Sequence, residues 1–230
     1  MNKILIVAKK EMKELISNKR TFIAGMFFAL WFGLFTSLGI KGGGSSAAYM
    51  NNSVFYLALT IGVFIGYIFS GQVFLREKRE KIIETLLCTP LSLRAIWLGK
   101  VMGVTIPAYL VSLLTAALVI IISNVLSESI LFPSAAVLLH LLVVVPAFIA
   151  FAIGLLGFCQ FLPGMRENQI INLLIFVALF GALTLTTKIG GFVVSWMTVG
   201  VLLLVAVLLL ALISYLTRYL SKERIVTTIP

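Results

Sequence analysis

The densest group of side chains able to do chemistry is Glu77-Lys78-Arg79-Glu80-Lys81, with Glu84 three residues further on. Acids and bases interleaved at this spacing pair along a helix or meet a charged partner; they do not make a nucleophile and its base. The rest of the chain adds little. It has one histidine, His140, no aspartate, two cysteines and no G-x-x-x-x-G-K-[ST] phosphate loop. Nucleotide hydrolysis, a metal site and an Asp-based triad are therefore excluded by residue supply, and the chain is expected to be non-enzymatic and to hold no cofactor of its own. Within the same stretch, Ile82, Ile83, Leu86 and Leu87 form a helical apolar patch that stops at Thr89-Pro90. Pro90 disfavours helix at the residue before it, while Thr89 can cap a second helix with Pro90 in its first turn. A short helix with mixed charge and an apolar face, held parallel to a membrane, suits a groove on a soluble partner. A helix that merely lies on lipid is the alternative.

The elements that must hold this loop are apolar. Six runs, 21–40, 54–75, 101–123, 135–161, 169–187 and 192–217, contain none of the 26 charged residues and range from 19 to 27 residues. About 20 helical residues cross a hydrocarbon core, and in lipid only helices satisfy their own backbone at such lengths. A mean hydropathy of +1.14 leaves no polar faces for six soluble helices. The expected fold is all-α and integral to the membrane, with residues 1–230 forming one transmembrane domain.

Lysine and arginine fall in alternate gaps. The first 20 residues hold six, residues 76–100 hold six, Arg166 lies between the fourth and fifth runs, and Arg218, Lys222 and Arg224 follow the last. Opposite them stand only Lys41 and Lys188. This asymmetry predicts a multi-pass protein with both termini in the cytoplasm. The net charge of +10 is then membrane-surface charge, with no nucleic-acid partner implied. Cys88 and Cys159 fall on the reducing side, so no disulfide is expected.

Residues 1–20 predict an amphipathic interface helix, with Ile4, Leu5, Ala8, Met12, Leu15 and Ile16 on one face and lysines on the rest. The second run repeats small residues at Ala58, Gly62, Gly66 and Ser70, a face smooth enough for close approach of another helix, in this subunit or across a dimer. Pro107 and Pro146 predict kinks in the third and fourth runs. His140 lies in the outer part of the fourth run, either a functional group or an ordinary hydrogen-bonding one.

The segment Glu84-Thr85-Leu86-Leu87-Cys88-Thr89-Pro90-Leu91-Ser92, followed by Ile96-Trp97-Leu98-Gly99-Lys100, resembles the loop of the ABC-2 type permeases, the membrane subunits of one class of ATP-binding-cassette exporters. The resemblance is specific over residues 77–100; elsewhere it is one of layout. It departs from the family at Lys81-Ile82, where a Gly-Thr pair is common. The resemblance implies a cytoplasmic coupling helix between spans two and three, within a coupling loop at 77–92, gripped by a separate ATPase subunit. Glu77, Glu80 and Glu84 would contact that subunit, Ile83, Leu86 and Leu87 would fill its groove, and Thr89 and Pro90 would set the angle. It also implies two ATPase copies carrying ATP and Mg, a second permease subunit forming a homodimer or related heterodimer, and residence in the cell membrane. Because no charge lies mid-membrane, an amphipathic or apolar substrate is expected over a bare ion. A self-sufficient channel or secondary carrier, and a membrane scaffold anchoring a soluble partner, remain alternatives.

Overall fold

The computed structural model describes residues 3–43, 47–80, 82, 89, 91–127, 131–161, 170, 173–175, 177, 181 and 194–219. Among them every regular element is helical. The chain begins with α1 (Lys3–Ser17) and continues after Asn18 into α2 (Lys19–Gly43). Three long helices follow, α3 (Ala47–Arg79), α4 (Leu93–Ser127) and α5 (Ala135–Phe161), and then α6 (Trp196–Leu216). Helices α2 to α6 are long and apolar enough to cross a membrane, which makes five among the described residues. Of the expected fifth run, 169–187, only residues 170, 173–175, 177 and 181 are described, all helical.

Local sequence chemistry sets the helix ends. Ser134, extended at φ −63° and ψ 154°, accepts the Val137 N–H on its side chain at the start of α5, satisfying a donor that has no partner within the helix. Ser195 and Thr198 close a reciprocal capping box at α6. At α4 the cap is Ser92, whose Oγ accepts from the Ala95 N–H at 3.3 Å and whose carbonyl accepts from Ile96 at 3.0 Å. The expected cap at Thr89, with the helix opening at Pro90, is thus corrected. Thr89 lies in a bend and the helix opens at Leu93, because Ser92 offers a hydroxyl at the right offset.

Helix α3 is the central element. Two-thirds of its most apolar stretch is buried (67%), against 22% for α2 and 17% for α6, so α2 and α6 leave long apolar faces outside the bundle. Its stripe of small residues is filled from within the chain. Ala58 and Ser70 have no exposed surface, a side chain on Gly62 would meet Ile149 at 2.4 Å, and one on Gly66 would meet Ile153 at 3.1 Å. Ser112 Oγ from α4 donates to the Ala58 carbonyl on the same face at 2.6 Å. The neighbours are therefore α4 and α5 of the same chain, close enough for backbone contact.

Two π-helical turns interrupt the long helices, Gly71–Leu75 in α3 and His140–Val144 in α5. The second lies immediately before Pro146, whose ring would crowd the carbonyl four residues back in a regular helix, so the wider turn accommodates it. His140 begins that turn, fully buried, with its ring stacked on Phe55 at 3.9 Å. Its Nε2 donates to the Phe55 carbonyl at 3.2 Å, tying α5 to α3. Proton placement on the ring follows from the partner, because a carbonyl only accepts.

Candidate functional site

The charges that matter meet at the end of the bundle where α1, the last turn of α3 and the first turns of α4 converge. Glycine permits the approach. A side-chain carbon on Gly99 would sit 2.5 Å from Val7 Cβ, and one on Gly103 would sit 2.8 Å from the Ala8 carbonyl oxygen. With α1 this close, Val7, Ala8, Glu11 and Leu15 are buried. The buried face of α1 is thus rotated from the expected one. Leu5 and Ile16 stay outside, at 55% and 50% exposure, while Val7 takes a place on α4.

Glu11 is the odd residue on that face, and Lys100 explains it. Both are buried, and Lys100 Nζ donates to Glu11 Oε1 at 3.0 Å and also to Glu77. Lys10 closes the group from its solvent side, 3.4 Å from Glu77 Oε1 and 3.6 Å from Glu11 Oε1. Two carboxylates and two ammonium groups balance, the condition under which buried charge is tolerated. Arg76 extends the cluster outward at 3.1 Å to both Glu14 and Glu80. Phe74 underlies it with its ring centroid 5.8 Å from Lys100 Nζ, at the outer range of a cation–π contact.

The π turn at Gly71–Leu75 adds a residue to the helical count just before Arg76, which resets the faces that follow. Glu77 faces Lys100, and Lys78, fully buried, turns the other way. Lys78 Nζ lies 3.4 Å from the carbonyls of Gln160 and Phe161, so a cation caps the carbonyl end of α5. Phe74 then packs where Gly157 leaves room, since a side chain there would meet its ring at 2.6 Å.

Burial pushes the Glu11 carboxyl above its ordinary value of 4.5; attraction to Lys100 opposes this and repulsion from Glu77 adds to it. For Lys10, burial works to lower the value, and the facing carboxylates of Glu11, Glu77 and Glu14 outweigh it, leaving the ammonium above 10.5. Carboxylate oxygens of Glu11, Glu14 and Glu77 lie within 4.8 Å of one another. Lys10, Arg76 and Lys100 already supply the positive charge a metal would bring. Each carboxylate of the arrangement is held in an ion pair. What it can do is mechanical: it pins both flanks of the segment between α3 and α4 to each other and to α1.

The residues expected to meet a partner divide accordingly. Glu77 is buried in the cluster, so its carboxylate faces Lys100 and not an outer surface. Glu80 is exposed and paired with Arg76. Thr89 is half-buried. Ile83, Glu84, Leu86, Leu87 and Pro90 lie outside the described residues. Sequence reasoning missed Glu11, Lys10, Glu14, Arg76 and Lys100 as a group. The signal was there: Glu11 shares the stripe of Ile4, Ala8 and Leu15, and an acid on an apolar stripe requires a buried base. No protein family, curated protein or solved structure matches this chain.

Proposed function

We propose that this chain is the membrane-spanning, non-catalytic subunit of an ATP-binding-cassette exporter of the ABC-2 permease type. In this reading the chain crosses the cell membrane six times, the run 169–187 being the fifth span, between α5 and α6, with both termini in the cytoplasm. Two copies, or one copy and a related subunit, form the path. Two ATPase subunits, holding ATP and Mg, grip the loop at 77–92. The cargo is amphipathic or apolar.

The observation that carries this reading is the clamp of Glu11, Glu77 and Lys100, which joins the two flanks of that loop to α1. A chain with no phosphate loop and no aspartate must import its energy. Force applied to a loop is useful only if the loop is stiffly tied to the helices it moves, and packed, charge-paired helices transmit displacement where a free loop would absorb it. Glu80, exposed beside the clamp, would have to exchange its ion pair with Arg76 to meet a partner surface.

The test is co-purification. Affinity-tagged chain expressed in its native host should retain a soluble P-loop protein, and a Glu84→Gln/Leu86→Ser variant should lose most of it while keeping its own yield. Solute movement in liposomes by the chain alone, without ATP, would support a channel or carrier and refute the proposal.

A further inference from the structure

The π turn Gly71–Leu75 has no local cause of the kind found in α5. There Pro146 calls for a wider turn; here the residues that follow are Arg76, Glu77, Lys78, Arg79 and Glu80, all compatible with a regular helix. The Arg76 N–H donates to the Gly71 carbonyl five residues back, and by Glu80 the spacing has returned to four, its N–H donating to the Arg76 carbonyl at 2.9 Å. Packing does not require glycine at the start of the turn, since a side chain on Gly71 would meet nothing within 4 Å; what glycine supplies there is backbone freedom. The residue before it is also unusual. The hydroxyls of Ser37, Thr105, Thr115 and Ser123 each donate to the carbonyl four residues back, at 2.6–2.9 Å, whereas the Ser70 hydroxyl, fully buried, has no partner among the described residues. A loose backbone position next to a buried unsatisfied hydroxyl marks the point where α3 holds its own geometry least firmly.

The charges that follow make the helical count matter. One residue is about 100° of turn and about 1.5 Å of rise. With the extra residue taken up in the wide turn, Glu77 meets Lys100, and Lys78 meets the carbonyls of Gln160 and Phe161. In a regular helix carried on from Ser70 each place would pass to the residue before it, so that Arg76 would face Lys100 and Glu77 would face those carbonyls. Both contacts would then be repulsive; the wide turn is what keeps the clamp shut. We infer that this turn is a two-position register switch: drawn out into regular helix, it rotates the inner end of α3 by about 100°, parts Glu77 from Lys100 and opens the clamp. The same change lengthens α3 by about 1.5 Å, so a pull on residues 77–92 favours the open register. What the switch would do in a transporter rests on the function proposed above. The switch itself does not, and the chain alone tests it.

The experiment uses the full chain with Cys88→Ser and Cys159→Ser in phosphatidylcholine nanodiscs, labelled at Arg79→Cys and Met102→Cys, both exposed positions. With a trifluoromethyl probe at residue 79 alone, saturation-transfer fluorine NMR should show a main resonance and a minor one in exchange with it. Deleting Gly71 removes the extra residue while leaving Glu77 on Lys100, and should abolish the minor resonance. With spin labels at both positions, pulsed electron resonance should give the same distance in the parent and in the deletion variant. Arg76→Glu/Glu77→Lys reverses the preference between registers and should move that distance by up to roughly 8 Å, the displacement of a surface label when a helix about 10–12 Å across turns by about 100°. Combining the charge exchange with the deletion should return the parent distance. A distance unmoved by the charge exchange, or one moved by the deletion alone, would overturn the inference. If the exchange variant does not fold, a single fluorine resonance in the parent, or a minor one that survives the deletion, overturns it instead. None of these readings involves an ATPase, so failure here leaves the proposed function standing, and failed co-purification leaves the switch standing.

Discussion

Replacing Lys100 with methionine should destabilise this protein more than any surface change, and the structure says by how much. The substitution keeps the length of the side chain and removes its charge. Glu11 and Glu77, at 1% and 4% side-chain exposure, would be left facing each other. Breaking a buried pair by deleting one partner costs about 3–5 kcal/mol, because the remaining charge is desolvated and uncompensated. Lys10 stays within 3.6 Å of both carboxylates and is half exposed, which places the loss at the lower end, about 3 kcal/mol. At roughly 2–4 °C per kcal/mol for a chain of this size, the melting temperature should fall by roughly 6–12 °C. The assay is thermal unfolding of detergent-purified protein, followed by circular dichroism and by loss of the monodisperse peak. A Glu11→Gln/Lys100→Met/Glu77→Gln variant should recover most of the loss, since neutral groups of similar shape replace a buried ion cluster at little cost. A melting temperature unchanged by Lys100→Met, or a triple variant no better than the single one, would refute the reasoning.

Further outcomes follow from the same geometry. Glu11 titrates above 4.5 in the fold, so the folded state keeps its proton to higher pH than the unfolded chain does. The stability from that proton is full below pH 4.5 and is lost as pH rises through the folded value; wild type should therefore lose stability relative to Glu11→Gln across that window in pH-resolved melts. Gly103→Ala should cost roughly 1–3 kcal/mol by forcing α1 away from α4, because its new carbon meets the Ala8 carbonyl at 2.8 Å. Gly200→Ala meets nothing within 4 Å and should be neutral or stabilising by up to about 1 kcal/mol. His140→Phe keeps the stack on Phe55 and removes one hydrogen bond, so a loss of about 1 kcal/mol is expected in the same melts.

Five of the six apolar runs were legible because lipid leaves so few alternatives, charge-free stretches of about 20 residues being able to cross only as helices, while most of the run 169–187 lies outside the described residues. Their limits were less so. The run expected at 54–75 belongs to a helix reaching Arg79, and the one expected at 101–123 to a helix opening at Leu93, because helices continue beyond the apolar zone while their polar ends find partners. The small stripe on α3 could be read as a close-contact face, but its occupant could not: Ile149 and Ile153 are some 90 residues away, and nothing local ties them to Gly62 and Gly66. The ion cluster was the least legible part. Glu77 looked like one of several surface acids, since local spacing offered Lys78, Arg79 and Lys81 as partners. Its actual partner, Lys100, depends on a π turn that rotates the helix and on two glycines that admit α1. Backbone irregularity of that kind leaves no strong mark on composition.

The central claim is that energy enters by contact at residues 77–92, and site-specific cross-linking tests it most directly. A photoreactive residue at Leu86, in the assembled complex hydrolysing ATP, should give a cross-link to the nucleotide-binding subunit whose yield changes through the hydrolysis cycle. Cross-links to lipid alone, or full reactivity of this position with aqueous reagents while transport proceeds, would contradict it.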